Sequence, residues 1–411
     1  MMNRNDFAGT VNKNVELARD LLCRLIEFPT TRGSGKEISP FLKTYVEKTA
    51  DSAELVPVPE SIVDDPDYSF RLENFSYDGA ANVRARINGL SKGKSLAFNT
   101  HLDVVPATIG QDKAFQPEVK DGKVFGRGAC DAKGQIATAW LVMKSLRDLG
   151  LRPGGDLTFD FVIEEECGGN GSLLVVRNGL KADAAVVLEP TDLHVAHLVR
   201  GAVWFDVETR GKAGHSGSPG STVSALKEAI KVMEAIERVR EETLAVSRKT
   251  IEKIADHPNP APCTFGMLHS GNWPAAAPSQ AILKGVFGFL PPFKRQDIQA
   301  RLRAAVSPFP AEIRFNMLNN DPSYVPESHP LVAEVLAAAR EAGIQARPEF
   351  MNAACDSWRY SEQLAIPAVV FGGGSIVTSH TIDEHIALDD IRQAALALVY
   401  FIQEWSGLYH D

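Results

Sequence analysis

The chain opens with apolar positions at helical spacing in "VELARDLLCRLIEF", predicting an amphipathic helix. "KSLAFNT" is a short apolar run and predicts a strand. "GQIATAWLVMKSLRDLG" returns to helical spacing, with Gly150 as its C-cap. The strand "DLTFDFVI", the helix "SLLVVRNGL" and the strand "ADAAVVLE" follow. Strand and helix alternate through this half, which predicts a mostly parallel sheet covered by helices on both faces.

The rhythm changes near residue 201. "GAVWFDVETRG" alternates like a half-exposed strand, and "TVSALKEAIKVMEAIERVREE" reads as a long amphipathic helix. "PSQAILKGVFGFL" and "EIRFNML" are strands around the helix "RQDIQARLRAAV". Two helices on one antiparallel sheet make an α+β module over residues 201–320. The α/β pattern then resumes with "PLVAEVLAAAREAG", "PAVVFGG" and "DDIRQAALALVYFIQEW". The expected organisation is therefore a catalytic domain in two pieces, residues 1–200 and 321–411, interrupted by an inserted two-layer α+β domain.

Bulk properties narrow the classes. The 411 residues suffice for two domains with a sizeable core. A formal charge of −9 argues against a nucleic-acid partner. The longest apolar run, at 394–402, is too short to span a bilayer. The opening "MMNRNDFAGTVNKN" has no secretory pattern, and five dispersed cysteines without a C-x-x-C pair fit reduced thiols. The expected location is cytoplasmic.

Ligands in parallel sheets gather at the carboxyl ends of strands. His101 and Asp103 follow the strand "KSLAFNT"; Asp131 lies in a glycine-bearing loop before a helix. Glu164, Glu165 and Glu166 end the strand "DLTFDFVI", and three adjacent like charges must either face water or surround a cation. Glu189 ends "ADAAVVLE", and His380 lies beyond "PAVVFGG" and its glycines. Two imidazoles and several carboxylates on one rim suit a borderline cation such as zinc. Two ions sharing a carboxylate roughly 3.5–4 Å apart are typical of hydrolytic centres.

In order, "HLDVVP", "GRGACDAKGQIA", "EEECGGNGS", "LEPT", "GKAGHSGSP" and "GGGSIVTSHTIDEH" resemble the motifs of the M20 metallopeptidase family. That family includes acetylornithine deacetylase, succinyl-diaminopimelate desuccinylase, aminoacylases and glutamate carboxypeptidases. The resemblance implies a zinc-peptidase-like catalytic domain with an inserted lid and dimerisation domain. It implies that Asp131 bridges two divalent ions, zinc first, with cobalt or manganese as alternatives. His101 and Glu189 would bind one ion, and Glu166 and His380 the other. Asp103 would accept a hydrogen bond from the ligand His101, and Glu165 would be the general base, with Glu164 peripheral. It also implies a cis peptide between Asp131 and Ala132. His215 would stabilise the oxyanion from the inserted domain, often across a homodimer. His385, the rival to His380, sits at a helix start.

Substrate recognition is where this sequence departs from the pattern. Relatives carry an Asn and an Arg on the lid for a substrate carboxylate, and Ala275 and Gly288 stand there instead. Lys294 or Arg295 are possible compensations. Arg200 and Arg359 are the candidates for carboxylate recognition, each with the alternative of a structural ion-pair role. The expected reaction is hydrolysis of an N-acyl group from an amino acid or amine. A dipeptidase or carboxypeptidase, a hydrolytic deaminase and a catalytically silent binding member are the alternatives.

Overall fold

The structure, a computed structural model, describes residues 4–31, 35–69, 75–217, 220–316 and 318–410. It divides into two compact units. One comprises Met1–Leu198, Tyr324–Glu349 and Asp356–Asp411; the other comprises Val199–Ser323 and the hexapeptide Phe350–Cys355.

The first unit is built on a sheet whose strands run in the order Ser52–Pro57, Ala81–Ile87, Leu157–Val162, Leu96–His101, Ala184–Val187, Ala368–Val370, Val195–Val199. The four strands from Leu157–Val162 to Ala368–Val370 are mutually parallel. The flanking pairs on either side are antiparallel. Leu96–His101 and Leu157–Val162 are buried along their whole lengths, as expected of strands covered on both faces. Their register sets His101 beside Val162, so His101 and the loop after Val162 leave the sheet at the same level. The parallel direction therefore puts four strand ends, and everything that follows them, on one rim.

The helices Arg4–Ile26, Lys133–Asp148 and Leu388–Trp405 pack together against the sheet. Arg4–Ile26 begins eleven residues before the predicted "VELARDLLCRLIEF". Phe7, Val11, Asn14 and Ala18 extend its buried stripe at helical spacing, and Asn14 donates to Asp148 Oδ2 at 2.8 Å. Within the core, Phe98 and Phe159 from adjacent parallel strands stack with centroids 4.7 Å apart, each 1% exposed. Phe159→Ala is expected to cost about 3–5 kcal/mol of stability, measured by denaturant unfolding.

In the second unit, Gly201–Arg210 pairs antiparallel with Gln280–Phe289 on one side and Ala311–Arg314 on the other. Cys263–Ser270 adds an edge strand beyond Gln280–Phe289. Val203, Phe205 and Val207 turn one face of the sheet onto Val232 and Ile236 of the helix Ala225–Thr250 and Ile298 and Leu302 of the helix Arg295–Val306. The result is the two-layer α+β arrangement. The edge strand was not foreseen because its burial follows no period: it bulges between Phe265 and Met267 and is mostly exposed.

Candidate metal centre

His101, the last residue of its strand, is 1% exposed. Its Nδ1 lies 2.9 Å from the backbone oxygen of Asp103. A carbonyl can only accept, so Nδ1 donates to it, which leaves Nε2 facing the carboxylates. That Nε2 is 2.9 Å from Asp131 Oδ1 and 3.8 Å from Glu189 Oε1. On the other side of Asp131, Oδ2 is 3.4 Å from His380 Nε2, which is also 3.0 Å from Glu166 Oε1. Each imidazole thus has its own second carboxylate, and Asp131 offers one oxygen to each. The peptide between Asp131 and Ala132 is cis.

The strand Leu157–Val162 ends before the three glutamates, which sit in a tight turn. Gly168 donates its N–H to Glu165 O and Gly169 to Glu164 O, at 3.0 and 2.8 Å. Gly169 has φ 72°, and a Cβ there would lie 2.3 Å from Asp356 Oδ1, so the turn excludes any side chain at this position. The triplet points neither wholly to water nor wholly to one cavity. Glu164 stays outside the ligand cluster: it is fully buried, accepts a hydrogen bond from Tyr77 Oη at 2.5 Å, and burial pushes its carboxyl up to about 8. Glu166 meets His380. Glu165 is 8% exposed, and among the described residues its side chain accepts no hydrogen bond.

Asp103 acts differently from the expectation. Its backbone, not its carboxylate, takes the His101 proton; the carboxylate oxygen is 3.7 Å from Nδ1. That carboxylate instead accepts the N–H groups of Glu165 and Glu166, both at 3.1 Å. It orients the turn that presents the two glutamates, because two adjacent backbone donors on separate oxygens outcompete one distant imidazole.

The electrostatics test whether cations belong here. Burial raises Glu165, Glu166 and Glu189, and repulsion from neighbouring carboxylates raises them further. Burial would also raise Asp131, but hydrogen bonds from His101 and His380 hold it well below the usual carboxylate range. Hydrogen bonds to Asp131 and Glu166 lift His380 to about 10. Among the described residues none of Asp131, Glu165, Glu166 and Glu189 pairs with a lysine or arginine. The two imidazoles are the only basic partners of these carboxylates among the described residues, and four carboxylates outnumber them. Donor atoms of His101, Asp131 and Glu166 lie within 4.8 Å of one another. A nitrogen and oxygen donor set with excess negative charge fits divalent zinc-type ions.

The remaining candidates lie elsewhere. His385 is turned away, with Nδ1 at 2.8 Å from Asp383 O and Nε2 at 3.1 Å from Lys123 Nζ. Arg359 is fully buried, over the Trp358 ring, and donates to Gly168 O at 3.3 Å and Gln363 Oε1 at 3.1 Å. That environment supports its structural alternative, bracing the glutamate turn from behind. In the second unit His215 is exposed on the short strand Gly214–His215, its Nδ1 accepting Gly217 N–H at 3.0 Å. Ser218 and Pro219 of its motif lie outside the described residues. Arg295 donates to Asn319 O at 3.2 Å and sits 3.8 Å from Asp321.

Arg200 donates to Asn352 O at 3.0 Å and has no acidic partner among the described residues; burial pulls it down to about 10. A Cβ on Gly288 would come 3.2 Å from Arg200 Nη1 and 2.8 Å from Pro262 O. The Arg200 guanidinium therefore uses the space that glycine leaves. Three buried residues escaped the sequence reading, Arg127, Glu384 and Asp356. Glu384 stands four residues past His380, inside a motif already singled out, and that proximity was the available signal.

A parallel sheet whose strand ends gather two imidazoles around a shared carboxylate is the frame of a metallo-hydrolase. The chain belongs to the peptidase family M20/M25/M40, whose profile matches residues 97–404. It is 27% identical to an acetylornithine deacetylase of Myxococcus xanthus, over 79% of this chain and 84% of that protein. It is 23% identical to an N-formyl-4-amino-5-aminomethyl-2-methylpyrimidine deformylase of Bacillus subtilis, over 80% and 84%. The fold is also that of an M20 family metallo-carboxypeptidase from Sulfolobus solfataricus, with TM-score 0.76 at 20% identity over 94% of this chain and 99% of that one. No helix among the described residues is long and apolar enough to cross a membrane.

Proposed function

We propose that the protein is a two-metal amide hydrolase that removes an N-acyl group from an amino acid or amine. The observation that carries this is Asp131, which faces one oxygen toward His101 and the other toward His380, each imidazole with its own further carboxylate. His101 and Glu189 would hold one ion, His380 and Glu166 the other, and Asp131 both. Bound zinc ions would polarise the scissile carbonyl and lower the pKa of the attacking water.

The protein's own groups do the rest. Glu165, free of imidazole contact, is the base that takes the proton of the attacking water and returns it to the departing amine. Asp103 holds Glu165 and Glu166 in place through their N–H groups. His215 is proposed as the donor to the oxyanion, within a second unit that serves as lid and dimerisation element. Arg200 is proposed for an anionic group on the substrate, since its guanidinium has no carboxylate of its own. Among the described residues Cys23, Cys130, Cys167 and Cys263 form no disulfide, which supports a reducing compartment such as the cytoplasm.

The acyl reading draws on the deacetylase and deformylase among the relatives. Assay of zinc-loaded protein on N-formyl, N-acetyl and N-succinyl amino acids against unblocked dipeptides separates the readings. Deacylation is expected to exceed dipeptide hydrolysis by at least tenfold in kcat/KM, roughly 1.4 kcal/mol. The reverse ratio would make the protein a dipeptidase.

A further inference from the structure

The loop carrying Asp131 and the loop carrying His380 come from distant parts of the chain, yet one buried ion pair ties them together. Glu384 and Arg127 are each 1% exposed. Glu384 Oε1 accepts three backbone N–H groups, from Gly128 at 2.9 Å and from Cys130 and Asp131 at 3.2 Å. An anion seated on several N–H groups of one loop fixes its curvature. Glu384 Oε2 accepts Arg127 Nη1 at 2.5 Å.

Arg127 then reaches the other loop. Its Nη2 donates to Thr108 Oγ1 at 2.8 Å, to Gln111 Oε1 at 3.1 Å and to His380 O at 3.4 Å. The Thr108 hydroxyl donates in turn to His380 O at 3.1 Å, and the Gln111 amide to Ile382 O at 3.2 Å. His380 itself has φ 63°, a left-handed conformation that a non-glycine residue keeps only when its surroundings hold it.

We propose that Glu384, acting through Arg127 and Thr108, is the positioning residue that sets the spacing between Asp131 and His380 and hence the affinity of the metal centre. The inference rests on the two-ion reading of that centre. A purely structural brace would stabilise the fold without changing metal affinity, and the two roles separate experimentally.

Metal-free wild-type protein, Glu384→Gln and Thr108→Val are titrated with zinc against a chromophoric chelator, with thermal unfolding of the metal-free forms alongside. Glu384→Gln is expected to weaken zinc binding about 10–100-fold at both positions. Thr108→Val, on an exposed loop, keeps the metal-free unfolding midpoint. It is expected to weaken only the position served by His380 and Glu166, by about tenfold. If Glu384→Gln does not fold, Thr108→Val decides alone. Two zinc ions bound by the variants within twofold of wild-type affinity would overturn the positioning role and leave the metal reading standing. A wild-type protein that binds no zinc removes both.

Discussion

Glu165→Ala is expected to lower kcat by about 10²–10⁴-fold while the purified protein still carries two metal ions. The two halves of this outcome have separate causes. Turnover falls because Glu165 is proposed as the base, a carboxylate with no hydrogen bond or close ion pair to either imidazole among the described residues. Metal is retained because Glu165 makes no contact that His101, Asp131, Glu166, Glu189 and His380 require. Its removal also takes one like charge from a buried cluster in which burial, Glu189 and Glu166 all raise Glu165. Steady-state kinetics on the best N-acyl substrate, with metal analysis of the same sample, checks both. A rate within a few-fold of wild type would mean that another group is the base. Loss of an ion would mean that Glu165 and Glu166 have exchanged roles.

The parts legible in the sequence share one property: their signal is local. Fully apolar runs such as "LTFDFV" identify the parallel strands, and parallel direction alone gathers their ends on one rim. The side chains that line this rim were therefore readable as a set. Where the reading failed, the decisive contact is long-range. Glu384 matters through N–H groups some 250 residues earlier, and its place four residues after His380 marks it only as a neighbour of the site. The buried partner of Glu164, the Tyr77 hydroxyl, is likewise distant in sequence, and no spacing rule connects the two. Asp103 was read as a partner of the imidazole because side chains are what a sequence displays; the competing acceptor was its own backbone oxygen. The first helix was cut short for another reason. Asn14 and neighbouring polar residues hid a stripe that continues to Phe7, and Asn14 is buried because Asp148 receives its amide.

Asp131→Ala is expected to yield a protein without either ion, whereas Glu166→Ala and His380→Ala each lose one and keep the other. The argument is geometric. Asp131 supplies one oxygen toward each imidazole, and without it the two halves share no ligand. Glu166 is within contact of His380 but belongs to one half only. Metal content after dialysis against zinc-free buffer counts the ions directly. Stability gives a second reading. In the metal-free protein Glu166 is raised by burial and by Asp131, so Glu166→Ala relieves repulsion, whereas Asp131 is held down by His101 and His380, so Asp131→Ala lowers the unfolding free energy. With zinc present wild type overtakes Glu166→Ala, because ions bound only by the folded state stabilise it, by roughly 2.7 kcal/mol at a hundredfold excess over Kd. Wild type should gain from both ions, Glu166→Ala from one and Asp131→Ala from none. Equal gains in all three would show that zinc binds elsewhere, and the hydrolytic reading of this rim would go with it.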